Sequence, residues 1–266
     1  MTQVDRPNST RGFGRFLSRW VQRRQPPANI RRVLLLKTHA LGDVLMTTPA
    51  ARALRQALPS ARLDYLTGNW SAPALRGNPY IDEVLAAPDE ALHGRWPSGL
   101  VRLIWQLRRR RYDAAVIFHP SALIHAVATL AGIPWRLGLT PCGRVNLLHR
   151  SAPWIPNSDT YAGDSFFAVA ALLGAQKPRG SLVFFPSDEA RCWAEQAAAR
   201  ATGPLVVLCP GGGTNPRDHV PVKRWPPERF AALAAALIER SCAVSKRCGV
   251  ISWPISRTNC ARRWRR

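Results

Sequence analysis

The sequence predicts an α/β protein, a doubly wound parallel sheet followed by the opening of a second unit of the same kind. Two observations predict it. Short apolar runs alternate with amphipathic stretches of helical period. The runs are apolar throughout, without polar alternation, as in strands covered on both faces.

The elements follow in order. Strands are expected at Val33–Lys37, Leu63–Thr67, Glu83–Ala86 and Ala114–Phe118, with a weaker one at Arg136–Leu139. Helical patterns lie at about 43–58, 71–77, 98–110, 121–131 and 160–174. Together they make a first α/β domain over 31–175. A second, partial domain is expected over 176–240. It has an extended piece at "SLVFF", a cap at Ser187 and a helix, then a buried strand Leu205–Cys209 running into glycines. A helix over "PPERFAALAAALIER" carries an apolar stripe of Phe230, Leu233, Ala234, Leu237 and Ile238.

Two flanking segments stand apart. Residues 1–30 hold "RGFGRFLSRWVQRR", in which Phe13, Phe16, Leu17, Trp20 and Val21 share one face and Arg15, Arg19 and Arg23 another. This is a basic amphipathic helix suited to an anionic bilayer surface, or else one packed on the protein's own core. Residues 241–266 have no sustained period, no acid and half of the cysteines. A lone strand and a lone crossover helix cannot bury the stripe at 230–238, so this basic tail reads as foreign to the fold. A shifted reading frame would produce it; the alternative is a genuine basic tail.

Composition narrows the function. With 46% apolar residues the 266-residue chain is globular. Its formal net charge of +22 calls for an anionic partner: nucleic acid, anionic lipid or a phosphorylated substrate. The arginines are scattered over helices and tail instead of forming one stripe with aromatics, which argues against nucleic acid. The six cysteines form no CxxC pair. Cys142, Cys192 and Cys209 read as free core thiols of a reducing compartment. No apolar h-region opens the chain and no apolar run is long enough to span a bilayer.

Chemistry concentrates in two places. In "LLLKTHALGDVLMTTPA" a buried strand delivers Lys37 to the crevice end of a parallel sheet. Gly42 permits a tight turn or a close backbone approach. Asp43 stands where a helix N-cap belongs, and equally where a general base could face the crevice beside Lys37. In "CPGGGTNPRDHVPVKRWPPERF", Gly211, Gly212 and Gly213 expose backbone N–H groups, and Thr214, Lys223 and Arg224 add a hydroxyl and cations. That is a phosphate-site chemistry, although neither a P-loop nor GxGxxG. His119 follows the strand "AAVIF" and points to the crevice end, as acceptor contact or as structural residue; His39 is similarly undecided. "QLRRRRYD" either adds to a membrane-facing charge or complements a helix C-terminus. No His or Cys has metal-ligand spacing.

"KTHALGDVLMTTPAARALRQALPSARLDYLTG" followed downstream by "PGGGTNPRDHVPVKRWPPERFAALAAAL" resembles glycosyltransferase family 9, the heptosyltransferases of lipopolysaccharide core assembly. The resemblance spans about residues 31–240. It implies the GT-B architecture: a complete N-terminal Rossmann-like domain for the lipid acceptor, and a second, here incomplete, for ADP-heptose. It implies inverting, metal-independent transfer without a cofactor, at the cytoplasmic face of the inner membrane. By motif match Asp43 is the catalytic base, and Thr214 and Lys223 contact the donor diphosphate. Lys37 and Gly42 are acceptor-side or structural. The acidic residue and the later Gly/Asp-rich segment that complete the family's donor site are not visible, so impaired turnover is expected. The alternative is a non-catalytic remnant that binds acceptor lipid or a membrane surface.

Overall fold

The computed structural model describes residues 25–141, 147–154, 161–176, 181–201, 205–210, 221 and 224–244. The predicted N-terminal amphipathic helix, Gly211, Gly212, Gly213, Thr214, Lys223, Cys142 and the tail beyond Val244 lie outside them. The chain divides into two compact units, the first ending at Ser187 and the second beginning at Asp188.

The first unit is one parallel sheet. Its strands are β1 (Arg32–Leu36), β2 (Arg62–Gly68), β3 (Glu83–Ala87), β4 (Ala114–Ile117), β5 (Trp135–Pro141) and β6 (Arg150–Trp154), in the spatial order β3-β2-β1-β4-β5-β6. All five pairings are parallel. The order reverses between β1 and β4, and a crevice opens at such a switch point beyond the carboxyl ends of the strands.

The continuous apolar runs are explained by burial on both faces. Val33 and Leu35 join one core with Leu63, Val116 and Phe166, whereas Leu34 and Leu36 join the other with Leu66, Ile117 and Leu107. At about 1.5–3 kcal/mol for each large side chain buried, these two layers dominate the fold's stability. The helices are α1 (Leu41–Met46), α2 (Thr48–Ala57), α3 (Asp89–Leu92), α4 (Pro97–Arg109), α5 (Ala122–Leu130) and α6 (Ala162–Ala171), with a 3₁₀ turn at Ala72–Leu75.

Three elements differ from expectation. The helix expected over 43–58 is two helices, α1 and α2. Pro49 has no N–H for the carbonyl of Leu45; the Thr48 hydroxyl donates to that carbonyl instead, at 2.7 Å. The Thr47 hydroxyl likewise donates to the carbonyl of Val44. Strand β6 was not anticipated. Among the described residues it pairs only with β5, and it carries Arg150 and Pro153, which an edge tolerates. The short helix α3 was also unforeseen.

The arginine run at 108–111 is largely structural. Arg110 makes a two-pronged ion pair with Glu83, both contacts at 2.7 Å, and reaches Asp64. That pairing holds the Glu83 carboxyl below its usual range. Arg108 donates to the carbonyl of Leu130, and the Arg109 guanidinium lies 3.4 Å from the ring centroid of Trp105.

In the second unit, α7 (Asp188–Ala199) starts directly after Ser187, and α8 (Pro227–Val244) covers the predicted stripe and continues past it. Among the described residues this unit has no strand. Leu205, Val206 and Val207 are exposed, so the strand expected at Leu205–Cys209 is not formed. Cys192 and Cys209 are exposed free thiols, not the core thiols anticipated. Helix α7 buries no side chain, and Leu233 and Ile238 of the α8 stripe are exposed. Among the described residues, no strand of this unit packs against these apolar groups.

Candidate active site

Lys37 directly follows β1. It is 4% exposed, its backbone N–H donates to Leu66, and its ammonium lies 5.7 Å from the ring centroid of Phe166. A buried ammonium requires a counter-charge. Asp43 supplies it: Oδ2 is 2.8 Å from Nζ of Lys37, while the Asp43 side chain remains 39% exposed. The pair joins a buried cation to a carboxylate that water, or a substrate hydroxyl, can reach.

The loop between them sets this geometry. Helix α1 begins at Leu41 with Ala40 as N-cap, at φ 64° and ψ 96°. The sharp corner therefore falls on Ala40, in the left-handed region that a non-glycine residue enters only at a cost. Gly42 does not make the turn. It sits in the first turn of α1, and a Cβ built on it would meet nothing within 4 Å. Asp43 is not the N-cap either. It is the third residue of the helix and makes no capping hydrogen bond, so its carboxylate serves the ion pair. An acidic group in a first turn also gains from the helix dipole.

Gly68 anchors the loop from β2. Its N–H donates to the carbonyl of Thr38, and a Cβ there would lie 2.8 Å from that oxygen and 2.0 Å from Oδ1 of Asp89. Only glycine allows this approach.

His119, buried two residues beyond the end of β4, comes to the same crevice. Lys37, His39, Asp43, His119, Pro120, Ser121, Ala122 and Trp154 line a cleft of about 480 Å³. The Trp154 ring stacks on Phe166 with an interplanar angle of 7°. Of the residues singled out in the sequence, Lys37, Asp43, His39 and His119 are thus brought together, with Gly42 on the same helix turn as Asp43. Trp154, Ser121, His93 and Arg95 were not foreseen. His93 and Arg95 reach the crevice from the α3–α4 connection, where nothing local marks them. Among the described residues, no group of three or more His, Cys, Asp or Glu is arranged to hold a metal ion.

The site thus joins a buried cation to an accessible carboxylate at the switch point of the sheet. The profile of glycosyltransferase family 9 (heptosyltransferase) matches residues 100–250. The chain belongs to glycosyltransferase family 9. It is 26% identical over 222 residues to lipopolysaccharide heptosyltransferase 2 of Escherichia coli K12, covering 80% of this chain and 62% of that protein. It is 25% identical over 225 residues to lipooligosaccharide heptosyltransferase 2 of Haemophilus ducreyi. This family 9 chain therefore spans about 62% of the length of these curated relatives. Its fold resembles a family 9 glycosyltransferase from Veillonella parvula, with TM-score 0.67, 23% identity and coverage of 82% of this chain and 63% of that one. It also resembles the ADP-heptose lipopolysaccharide heptosyltransferase II of E. coli, with TM-score 0.60, 24% identity and coverage of 79% and 62%.

Proposed function

We propose that this chain is an inverting heptosyltransferase. It transfers heptose from ADP-heptose to the lipopolysaccharide inner core, whose acceptor is the lipid A–Kdo region. The Lys37–Asp43 pair carries this reading. Asp43 takes the proton from the attacking acceptor hydroxyl. That oxygen bonds to the anomeric carbon as the bond from that carbon to the diphosphate breaks, and ADP leaves with the electron pair. Lys37 is a positioning residue: it holds one carboxylate oxygen and so orients the other toward the hydroxyl. Trp154 offers an apolar wall for a sugar ring. His119 and Gly42 border the acceptor, Gly42 by leaving open space over α1.

For the donor, Lys223, Thr214 and the N–H groups of Gly211, Gly212 and Gly213 neutralise the charge that develops on the departing diphosphate. This arrangement replaces a metal, so transfer is metal-independent and needs no cofactor.

The first unit is the Rossmann-like, acceptor-side half of a GT-B protein, and the second carries the donor contacts. The protein works in the cytoplasm, peripherally at the inner face of the inner membrane. No described helix is long and apolar enough to cross a membrane. On α4, Val101 and Trp105 are exposed beside Arg102 and Arg109, a combination that suits an anionic lipid surface. Nucleic acid is not a partner.

One observation favours a second reading, a non-catalytic module that binds acceptor lipid: the described part of the second unit has no strand and exposes its apolar residues. Calorimetric titration of the chain with ADP separates the two. Saturable binding that Lys223→Ala weakens about tenfold or more supports the donor role. Anionic-vesicle binding without any ADP binding supports the module.

A further inference from the structure

Beside the Lys37–Asp43 cleft lies a second pocket of about 410 Å³, lined by Thr38, His39, Leu92, His93, Arg95, His119, Ser121, Leu123 and Ile124. Three imidazoles meet there. The ring centroids of His39 and His93 are 5.2 Å apart, and those of His39 and His119 are 4.7 Å apart. Arg95 Nη2 lies 3.4 Å from Nδ1 of His93. A guanidinium can only donate, so Nδ1 accepts and the His93 proton belongs on Nε2. His39 and His119 border both cavities, so the two are continuous along the crevice.

The chemistry of the lining is one-sided. Among the described residues it holds a guanidinium, three imidazoles and the hydroxyls of Thr38 and Ser121, and no carboxylate. Asp43 faces the neighbouring cleft and is bonded to Lys37, and Asp89 Oδ2 accepts the N–H of Trp70. The imidazole planes meet edge to face at 63° and 62°, and the described residues include no cluster arranged as a metal site. A concave surface of donors and positive charge, walled by Leu92, Leu123 and Ile124, is matched to an oxyanion.

We infer that this pocket is an oxyanion subsite that holds a carboxylate or phosphate of the acceptor while its hydroxyl lies against Asp43. The inference rests on the acceptor-side reading of this unit. His93 and Arg95 are then specificity residues, and they act in binding without taking part in proton transfer.

The test is NMR of the histidine ring nitrogens in the full 266-residue chain, titrated separately with inorganic phosphate and with glucuronate. Saturable shifts at His39, His93 and His119 are expected. Arg95→Ala, an exposed position that spares the core, and His93→Gln should each raise the apparent Kd about tenfold. Tighter phosphate binding assigns a phosphate group; tighter glucuronate binding assigns a sugar carboxylate. The inference is overturned if neither anion gives saturable shifts, if both variants bind like the parent, or if the rings respond to zinc and to neither anion. Asp43→Asn should leave anion binding intact. Anion binding in a protein that never engages a lipopolysaccharide acceptor would keep the subsite and reject the acceptor reading. Acceptor engagement without anion binding would do the reverse.

Discussion

Nζ of Lys37 and Oδ2 of Asp43 are 2.8 Å apart across a strand end, a strained corner at Ala40 and the start of a helix. The strand buries the lysine and the helix leaves the aspartate accessible. This asymmetry makes the pair useful chemically, because only one partner can meet a substrate.

Lys37 should matter more for turnover than for stability. Lys37→Met keeps the buried stem, and the Asp43 carboxylate left behind can still be hydrated. Unfolding free energy in urea should change by no more than about 1 kcal/mol. A misoriented carboxylate should lower kcat about 100-fold. That assay uses the chain extended by the donor half of a full-length relative. Lys37→Arg should not restore the rate, since a planar guanidinium cannot take the place of an ammonium.

Tyr65 ties the kink between α1 and α2 to the sheet. Its buried hydroxyl lies 2.6 Å from the Thr47 hydroxyl, and burial pushes the phenol above its ordinary range. Thr47→Val should cost about 1–3 kcal/mol by leaving the phenol without that partner. The raised native value also sets a sign. Stability is full below the ordinary phenol value of about 10 and falls as pH rises beyond it, because only the unfolded chain readily loses the proton. Tyr112, raised by burial and by its hydrogen bond to Asp64, acts in the same direction. Urea midpoints measured on either side of that pH check this, and Tyr65→Phe should flatten the alkaline limb.

His125 works at the opposite end of the scale. Burial in α5 lowers it from 6.5 to about 4. The unfolded chain therefore takes up a proton at a pH where the native protein does not. Stability is full above 6.5 and is lost as pH falls toward 4, by about 3 kcal/mol for this group. His125→Leu should remove that part of the acid dependence, as read from urea midpoints at neutral pH and at pH 5.

The sheet was legible because strands buried on both faces are continuous apolar runs, as in Val33–Leu36 and Ala114–Ile117. Strand β6 was not, because an edge strand needs no such run and carries Arg150 and Pro153. The break at Thr47 was signalled by Pro49, but the long apolar period over 43–58 masked it. In the site, Lys37, His39, Asp43 and His119 were legible because each follows a strand that ends at the crevice. His93 and Arg95 were not, since only the strand order brings their loop beside His39. From residue type, Gly42 reads as permitting a tight turn or a close backbone approach, and Asp43 as helix cap or general base. The backbone instead put the turn on Ala40 and freed Asp43 for Lys37.

The most direct test of the central claim is the rate of heptose transfer by Asp43→Asn in the chain extended by a full donor half, beside the parent and with unfolding followed in urea. The amide keeps the shape of the carboxylate but cannot take the hydroxyl proton. The account predicts a rate about 100- to 10,000-fold lower with the fold retained. Transfer at the parent rate in a folded Asp43→Asn protein would contradict it, and would leave the ion pair with Lys37 a structural role only.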